Sequence, residues 1–520
     1  MKALLSVFDK NGVVDFAREL QRAGADLIST GGTHQTIADA GLPVQQVSDF
    51  TGSPEILGGR VKTLHPAIHG GILARRDDPG HVSELAGLSM ETIDVVAVNL
   101  YPFAATIASP GVTLDDALEN IDIGGPTMIR AAAKNFPFVA VVVDPADYSW
   151  VAEKLAGEGL SLEERRRLAH KAFQHVAYYD TLIASYLRRE DPEGAFPQEL
   201  TLAYHRVQQL RYGENPHQLG ALYTEPLLGY ASLASGSQLL GQEPSLCNVY
   251  DMSAALESVR DFMDRPAAVV IKHATPSGFA FGATSAEALE KAIHADATSA
   301  FGGIIGLNRP MDVETAEVVA RFRELESSNI DAIVAPGASE EAVAILRRTR
   351  RRMVLYTVDE LGALPAGSVN VKQVPGGLLY QQANTSPIDR EAWRVATRVQ
   401  PTPEQLSGME DAWLLMRHIR SNTIMVWDEA AGVTLGIGSG QVSRVGSARI
   451  ALEQAGERAR GAILASDSFF PFQDSVELAA SYGIAAIVQQ GGSINDQASI
   501  DAADAAGISM VLTGERAFWH

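Results

Sequence analysis

From one end of this 520-residue chain to the other, short β-prone apolar runs alternate with stretches whose apolar residues recur at helical spacing. That rhythm is the signature of layered α/β architecture with largely parallel sheets. Residues 2–8 read as a strand, and Val13, Phe16, Ala17 and Leu20 mark the apolar face of a helix after it. Strands follow at 26–30, 93–99 and 138–143, with a helix from about Pro126 to Lys134 before the last. This first region reads as one doubly wound unit. Two prolines and a glycine in Glu190-Asp191-Pro192-Glu193-Gly194-Ala195-Phe196-Pro197 then break a helical region, so domains are expected at 1–197 and 198–520. Further strands are expected at 267–272, 331–335, 370–374, 433–437, 461–466 and 484–488, enough for two more α/β units. No sequence repeat proves a duplication.

Length alone allows several cores. The longest apolar runs, such as Val95–Val98 and Val139–Val143, fall far short of the roughly 20 residues that cross a bilayer. No membrane partner is expected. Met1-Lys2 leads directly into strand-like residues with neither a signal-peptide core nor a cleavage site, so a cytoplasmic location is expected. A lone cysteine, Cys247, excludes a disulfide framework and a multi-cysteine zinc site, and is expected to be a small buried apolar side chain. The net charge of −21 argues against nucleic acid, which is bound by neutralising phosphates with Lys and Arg. Clustered basic residues therefore point to small anionic ligands.

Several loops carry such clusters. "SVFDKNG" (6–12) places Asp9 and Lys10 between the first strand and its helix, and "STGGTH" (29–34) places Thr30, Gly31, Gly32 and Thr33 after the second strand. Backbone N–H groups at a glycine-opened helix start suit a phosphate, and ligands of open α/β sheets sit at the carboxyl ends of strands. "GGRVKTLHP" (58–66) adds Arg60, Lys62 and Thr63, "NLYPF" (99–103) adds Asn99 and Tyr101, and "IDIGGPTMIRAAAKN" (121–135) runs from Asp122 and Ile123 to Lys134. Each glycine turn alone is ordinary turn chemistry, and a lysine near a helix C-terminus is ordinarily a solvated charge. Converging, Lys62, Tyr101, Asp122 and Lys134 could share proton transfers.

In the second half, "QQLRYGENPHQ" (208–218) offers Arg211 and Tyr212, which locally read as a polar interdomain loop. In "AVVIKHATPSGFAFG" (268–282) a buried strand ends in Lys272-His273 and a turn-rich Thr-Pro-Ser-Gly. A polar pair at a strand end serves either chemistry or a capping hydrogen bond.

These motifs, with "SDSFFPFQD" (466–474), occur in order over nearly the whole chain. The sequence resembles the bifunctional purine-biosynthesis family that combines phosphoribosylaminoimidazolecarboxamide (AICAR) formyltransferase with IMP cyclohydrolase. The resemblance implies a methylglyoxal-synthase-like first domain closing formylated AICAR (FAICAR) to IMP, and a second domain of two cytidine-deaminase-like subdomains transferring formyl from 10-formyltetrahydrofolate to the 5-amine of AICAR. Asp9, Lys10, Thr30, Gly31, Gly32, Thr33, Arg60, Lys62, Thr63, Asn99, Asp122 and Ile123 would hold the first domain's nucleotide, with Lys134 as its catalytic lysine beside Lys62, Tyr101 and Asp122. In the second domain Lys272, His273 and Asn422 would be catalytic. Arg211, Tyr212, Gly302, Asp331, Arg444, Phe469, Asp474, Ser493 and Arg516 would contact AICAR and folate, although Phe469 and Phe470 read locally as core. The deaminase zinc signature is absent, so no zinc and no redox cofactor are expected, while a monovalent cation is left open. The resemblance also implies a homodimer with shared formyltransferase sites. Against this stand a protein that keeps one activity and an idle nucleotide sensor.

Overall fold

The computed structural model describes residues 1–189, 195–226, 228–326 and 329–520, without the side chains of 323–326. Two compact units emerge, Met1–Tyr204 and His205–His520. Five residues of the expected boundary segment, 190–194, lie outside the described residues.

The first unit has five parallel strands, β1 (Lys2–Ser6), β2 (Asp26–Ser29), β3 (Gln45–Gln46), β4 (Val95–Val98) and β5 (Ala140–Val142), in the order β3-β2-β1-β4-β5. Reversal of strand order beside β1 is what opens a crevice at the carboxyl ends of β1 and β4. Helix α1 (Val13–Arg22) buries Val13, Phe16, Ala17 and Leu20, the face expected from spacing. Burying each large side chain contributes about 1.5–3 kcal/mol. Helices α2 (Gly31–Asp39) and α3 (Gly124–Lys134) start at loops opening on that crevice. Helix α4 (Leu162–Arg188) begins with a Ser161–Glu164 capping box and packs on α3, burying Leu168, Ala172, Val176 and Tyr179.

In the second unit one succession of elements occurs twice. The first pass is β6 (Ser237–Leu240), α5 (Leu246–Arg260), β7 (Ala267–Lys272), β8 (Thr275–Phe281), α6 (Ser285–Ala295), β9 (Gly303–Leu307), α7 (Val313–Glu326), β10 (Ile330–Ala335), α8 (Glu340–Thr349) and β11 (Val354–Thr357). The second is β12 (Arg394–Val395), α9 (Pro403–Met416), β13 (Ile424–Asp428), β14 (Val433–Gly438), α10 (Arg444–Ala455), β15 (Ile463–Ser466), α11 (Asp474–Ser481), β16 (Ala486–Gln489), α12 (Asp496–Ala506) and β17 (Ser509–Leu512). Their strands form one mixed sheet, β12-β17-β16-β15-β13-β14-β8-β7-β9-β10-β11-β6, joined at the β8–β14 pair. The duplication that sequence comparison within the chain could not prove is thus plain in the topology. Even a detail repeats: Ala267 N–H donates to Asn308 Oδ1 at 2.8 Å, as Thr423 N–H does to Asp467 Oδ2 at 3.0 Å.

Both faces of this sheet are covered. Along β7, Val269 and Ile271 enter a core with Met425 and Trp427, a core that spans both passes, while Ala268 and Val270 pack under α6. Successive residues point to opposite faces, which explains the unbroken apolar run.

Three expectations are corrected. Thr275–Phe281 is strand, not turn; the turn is His273-Ala274, and Pro276 sits at a bulge. Residues 369–374 pair only with 377–382, in an exposed two-stranded ribbon outside the large sheet. Cys247 is exposed, because its place in the first turn of α5 faces away from the core. Among the described residues no helix is long and apolar enough to cross a membrane, and no three His, Cys, Asp or Glu side chains gather as metal ligands.

Candidate active site

In the first unit the loops after β1, β2 and β4 close around a cavity of about 590 Å³. Lys10, Thr30, Gly31, Gly32, Thr33, Arg60, Lys62, Thr63, Asn99, Tyr101, Asp122 and Ile123 all line it. At one wall α2 begins, and its first N–H groups have no partner within the helix. The Lys62 amine would lie 3.8 Å from a Cβ on Gly31, and the Lys10 chain comes as near to Gly32. Two amines and a helix N-terminus there make an anion cradle. Burial lowers the Lys10 pKa, Asp9 opposes that, and the Lys62 charge adds to it.

Some of the expected ligands spend their polar atoms on the scaffold. Asn99 Oδ1 accepts the N–H groups of Phe8 and Asp9, at 2.5 and 3.0 Å, and so fixes the loop after β1. The Thr33 hydroxyl donates to the Val7 carbonyl at 2.8 Å. Asp9 lies outside the cavity wall, its carboxylate accepting Asn11 N–H at 2.9 Å. Arg60 pairs with Glu119 at the exposed rim.

Asp122 is the half-buried acid of the cavity. Its Oδ1 accepts Gly125 N–H at 2.8 Å at the start of α3, and its main-chain N–H donates to the Tyr179 hydroxyl oxygen on α4 at 2.9 Å. Burial raises its carboxyl pKa, against the pull of N–H groups from Gly125, Tyr101 and Gly124 and the charge of Lys62. Tyr179 lies in the middle of a helix far along the chain, with no local motif to reveal it. Lys134 is not brought in: it is exposed at the far end of α3, about 15 Å along the axis from Gly124, and lines a separate groove of about 680 Å³ with Arg130, Arg166 and His170.

In the second unit the strand register explains how scattered motifs share one edge of the sheet. Lys272 ends β7, Gly302 and Asp331 stand at the starts of β9 and β10, Asn422 precedes β13, and Arg444 follows β14. Phe469, Ser493 and Arg516 follow β15, β16 and β17, and Asp474 opens α11 on the same side. Antiparallel pairing across the centre puts starts of strands from one pass level with ends from the other.

Two sets form along that edge. In the first, Lys272 Nζ donates to the carbonyls of Phe301 and Gly302, at 2.8 and 3.3 Å, and His273 is exposed in the hairpin turn, its ring making no hydrogen bond among the described residues. The Arg211 guanidinium lies 4.8 Å from the centre of the Tyr212 ring. Burial raises the Asp331 pKa, while the charges of Lys272 and Arg211 pull it down. In the second, Arg444 donates to Asn422 Oδ1 at 2.8 Å and to Ser466 Oγ at 2.9 Å, and pairs with fully buried Asp467. Residue types alone did not single out Asp467, though it lies inside a quoted motif. Phe470 is core, whereas Phe469 is partly exposed, which corrects the core expectation for that residue. Among the described residues no hydrogen bond or ion pair joins the two sets.

A model of the AICARFT/IMPCHase bienzyme matches residues 132–454, and one of the MGS-like domain matches 12–127. The chain belongs to the AICARFT/IMPCHase bienzyme family. Members described as bifunctional purine biosynthesis protein PurH align with it from end to end. That of Listeria welshimeri is 49% identical over 520 residues, 100% of both chains. That of Acetivibrio thermocellus is 47% identical, over 100% of this chain and 99% of its own. A solved structure entitled "Crystal structure of ForH" is 38% identical over 36% of this chain and 96% of its own, with a TM-score of 0.33. The family alignments thus include both candidate cavity and sheet edge.

Proposed function

We infer that this bifunctional enzyme of purine biosynthesis transfers a formyl group from 10-formyltetrahydrofolate to the 5-amine of AICAR in its second unit and closes FAICAR to IMP in its first. The observation that carries the reading is the first unit's cavity, where an anion cradle and a half-buried acid, with Lys62 near both, line one space of about 590 Å³, room for a nucleotide. The α2 N-terminus with Lys10 and Lys62 holds the phosphate. Ring closure then needs an amide nitrogen, a poor nucleophile, to attack the formyl carbon before water leaves. Holding the precursor folded for attack supplies much of the acceleration. Asp122, with its raised pKa, and Tyr101 and Lys62 beside it move the protons. Lys134 stands outside this cavity, so within one chain proton transfer is assigned to the other three.

In the second unit the 5-amine has lost electron density to the carboxamide and needs a base. His273, unbonded and exposed, suits that task, and Lys272 suits the tetrahedral oxyanion. Asn422 orients substrate from the second set. From Arg516 to Asp331 the sheet spans eight strand spacings, roughly 40 Å. Lys272 and Asn422, one from each set, are three spacings apart, roughly 14 Å, and the reading includes a homodimer in which the first set of one copy meets the second set of the other. The folate-facing residues and any monovalent cation site remain part of the same proposal.

The test is direct. Purified full-length protein supplied with AICAR and 10-formyltetrahydrofolate is expected to release IMP. Binding of AICAR without any FAICAR or IMP would instead identify a nucleotide sensor.

A further inference from the structure

The turn that presents His273 is made of residues that resist its shape. His273 has φ 52 and Ala274 has φ 57. The left-handed region disfavours an L-residue, and two-residue hairpins of this kind ordinarily use Asn-Gly. Neither residue here is Gly or Asn, so the conformation has to be held from outside.

The hold comes from α5. Asp251, in its second turn, accepts the Ala274 N–H on Oδ1 at 2.7 Å, beside the His273 N–H. Burial pushes the Asp251 carboxyl above its ordinary range, while those N–H groups and the charges of His273 and Lys272 act the other way. The helix is itself pinned: Ser245 and Asn248 form its capping box, and Leu246 N–H donates to the Tyr212 carbonyl at 3.0 Å. One short helix start therefore fixes both the histidine turn and the Arg211-Tyr212 loop.

We propose that Asp251 is a positioning residue for formyl transfer, its carboxylate clamping the main chain of the His273-Ala274 turn so that the imidazole is aimed at the substrate amine. The bond runs to a backbone N–H and not to the ring, which makes Asp251 a clamp of the turn. This inference rests on the formyl-transfer reading of the second unit.

Full-length parent, Asp251→Ala, Asp251→Asn and the double variant Asp251→Ala/Ala274→Gly decide it, assayed for formyl transfer and, with supplied FAICAR, for ring closure. Asp251→Ala is expected to lower kcat of formyl transfer by about 10- to 100-fold, the scale of a misplaced catalytic group, with KM for AICAR within about threefold. Ring closure should be unchanged. Asparagine keeps an oxygen acceptor, so Asp251→Asn should stay within about fivefold of parent, with the acid limb of its pH profile unmoved. Glycine adopts positive φ freely, so the double variant should recover at least about threefold over Asp251→Ala. Formyl transfer by Asp251→Ala within about threefold of parent overturns the proposal, as does an Asn variant as damaged as the Ala variant. If Asp251→Ala does not fold, the near-isosteric Asn variant decides alone by the same criterion. A parent that makes no FAICAR would refute the formyl-transfer reading itself, a result distinct from both.

Discussion

Gly125 shows how narrowly the first unit's cavity is built. A Cβ there would come within 2.5 Å of Asp122 Oδ2 and 2.6 Å of the Leu100 side chain. Only hydrogen fits where α3 begins, and the same glycine donates the N–H that holds the acid. Gly125→Ala is expected to displace Asp122 and lower ring closure by about 10²-fold, with formyl transfer unaltered. Chromatography of supplied FAICAR checks this; normal IMP formation would mean that the Asp122 position is not critical. At this scale the site was largely legible: twelve expected residues line the cavity, because the loops that carry them open on the crevice at the carboxyl ends of the strands. Tyr179 and Asp251 were not legible, since each acts through one hydrogen bond to the main chain of a distant loop.

Among the elements, α9 meets the loop before β7 through Asp411, which pairs with Arg265 and so ties the two passes together. Burial raises the Asp411 carboxyl to about 6, with Arg265 pulling it down and Asp264 and Glu410 adding to the rise. From about pH 3.8 to 6 the folded chain therefore keeps a proton that the unfolded chain has released. This favours folding on the acid side and is lost as pH rises through 6. Relative to Asp411→Asn, the parent is expected to lose about 1 kcal/mol of stability from pH 5 to 7. Urea unfolding of both proteins at the two pH values measures it, and a parent that gains on the variant would show that the ion pair outweighs burial. The misread strand β8 belongs to this scale too. Thr-Pro-Ser-Gly looks like turn punctuation, but Gly278 is there because α6 lies so close that a Cβ would be 2.1 Å from the Ala292 carbonyl. Helix contact, which sequence does not display, decided that glycine's meaning.

For the molecule as a whole, the proposal puts the two chemistries in different units, so they should fail separately. His273→Ala is expected to lower formyl transfer by about 10²–10⁴-fold while conversion of supplied FAICAR to IMP continues. Paired assays of one preparation check this, and near-normal formyl transfer would remove His273 as the base. The layout of two units was legible from alternating strands and helices. The exposed ribbon at 369–382 was not, because a strand pattern does not say which sheet it joins.

The doubled sheet has a second edge. Antiparallel pairing of β8 with β14 sends the β7–β8 turn to one side and its counterpart, residues 429–432, to the other. There Ala430 is exposed, and the turn closes on Asp428 with no lysine or histidine in it. This twin of the His273 turn offers a point for attaching a fluorophore or a surface tether on the side of the sheet opposite Lys272 and His273.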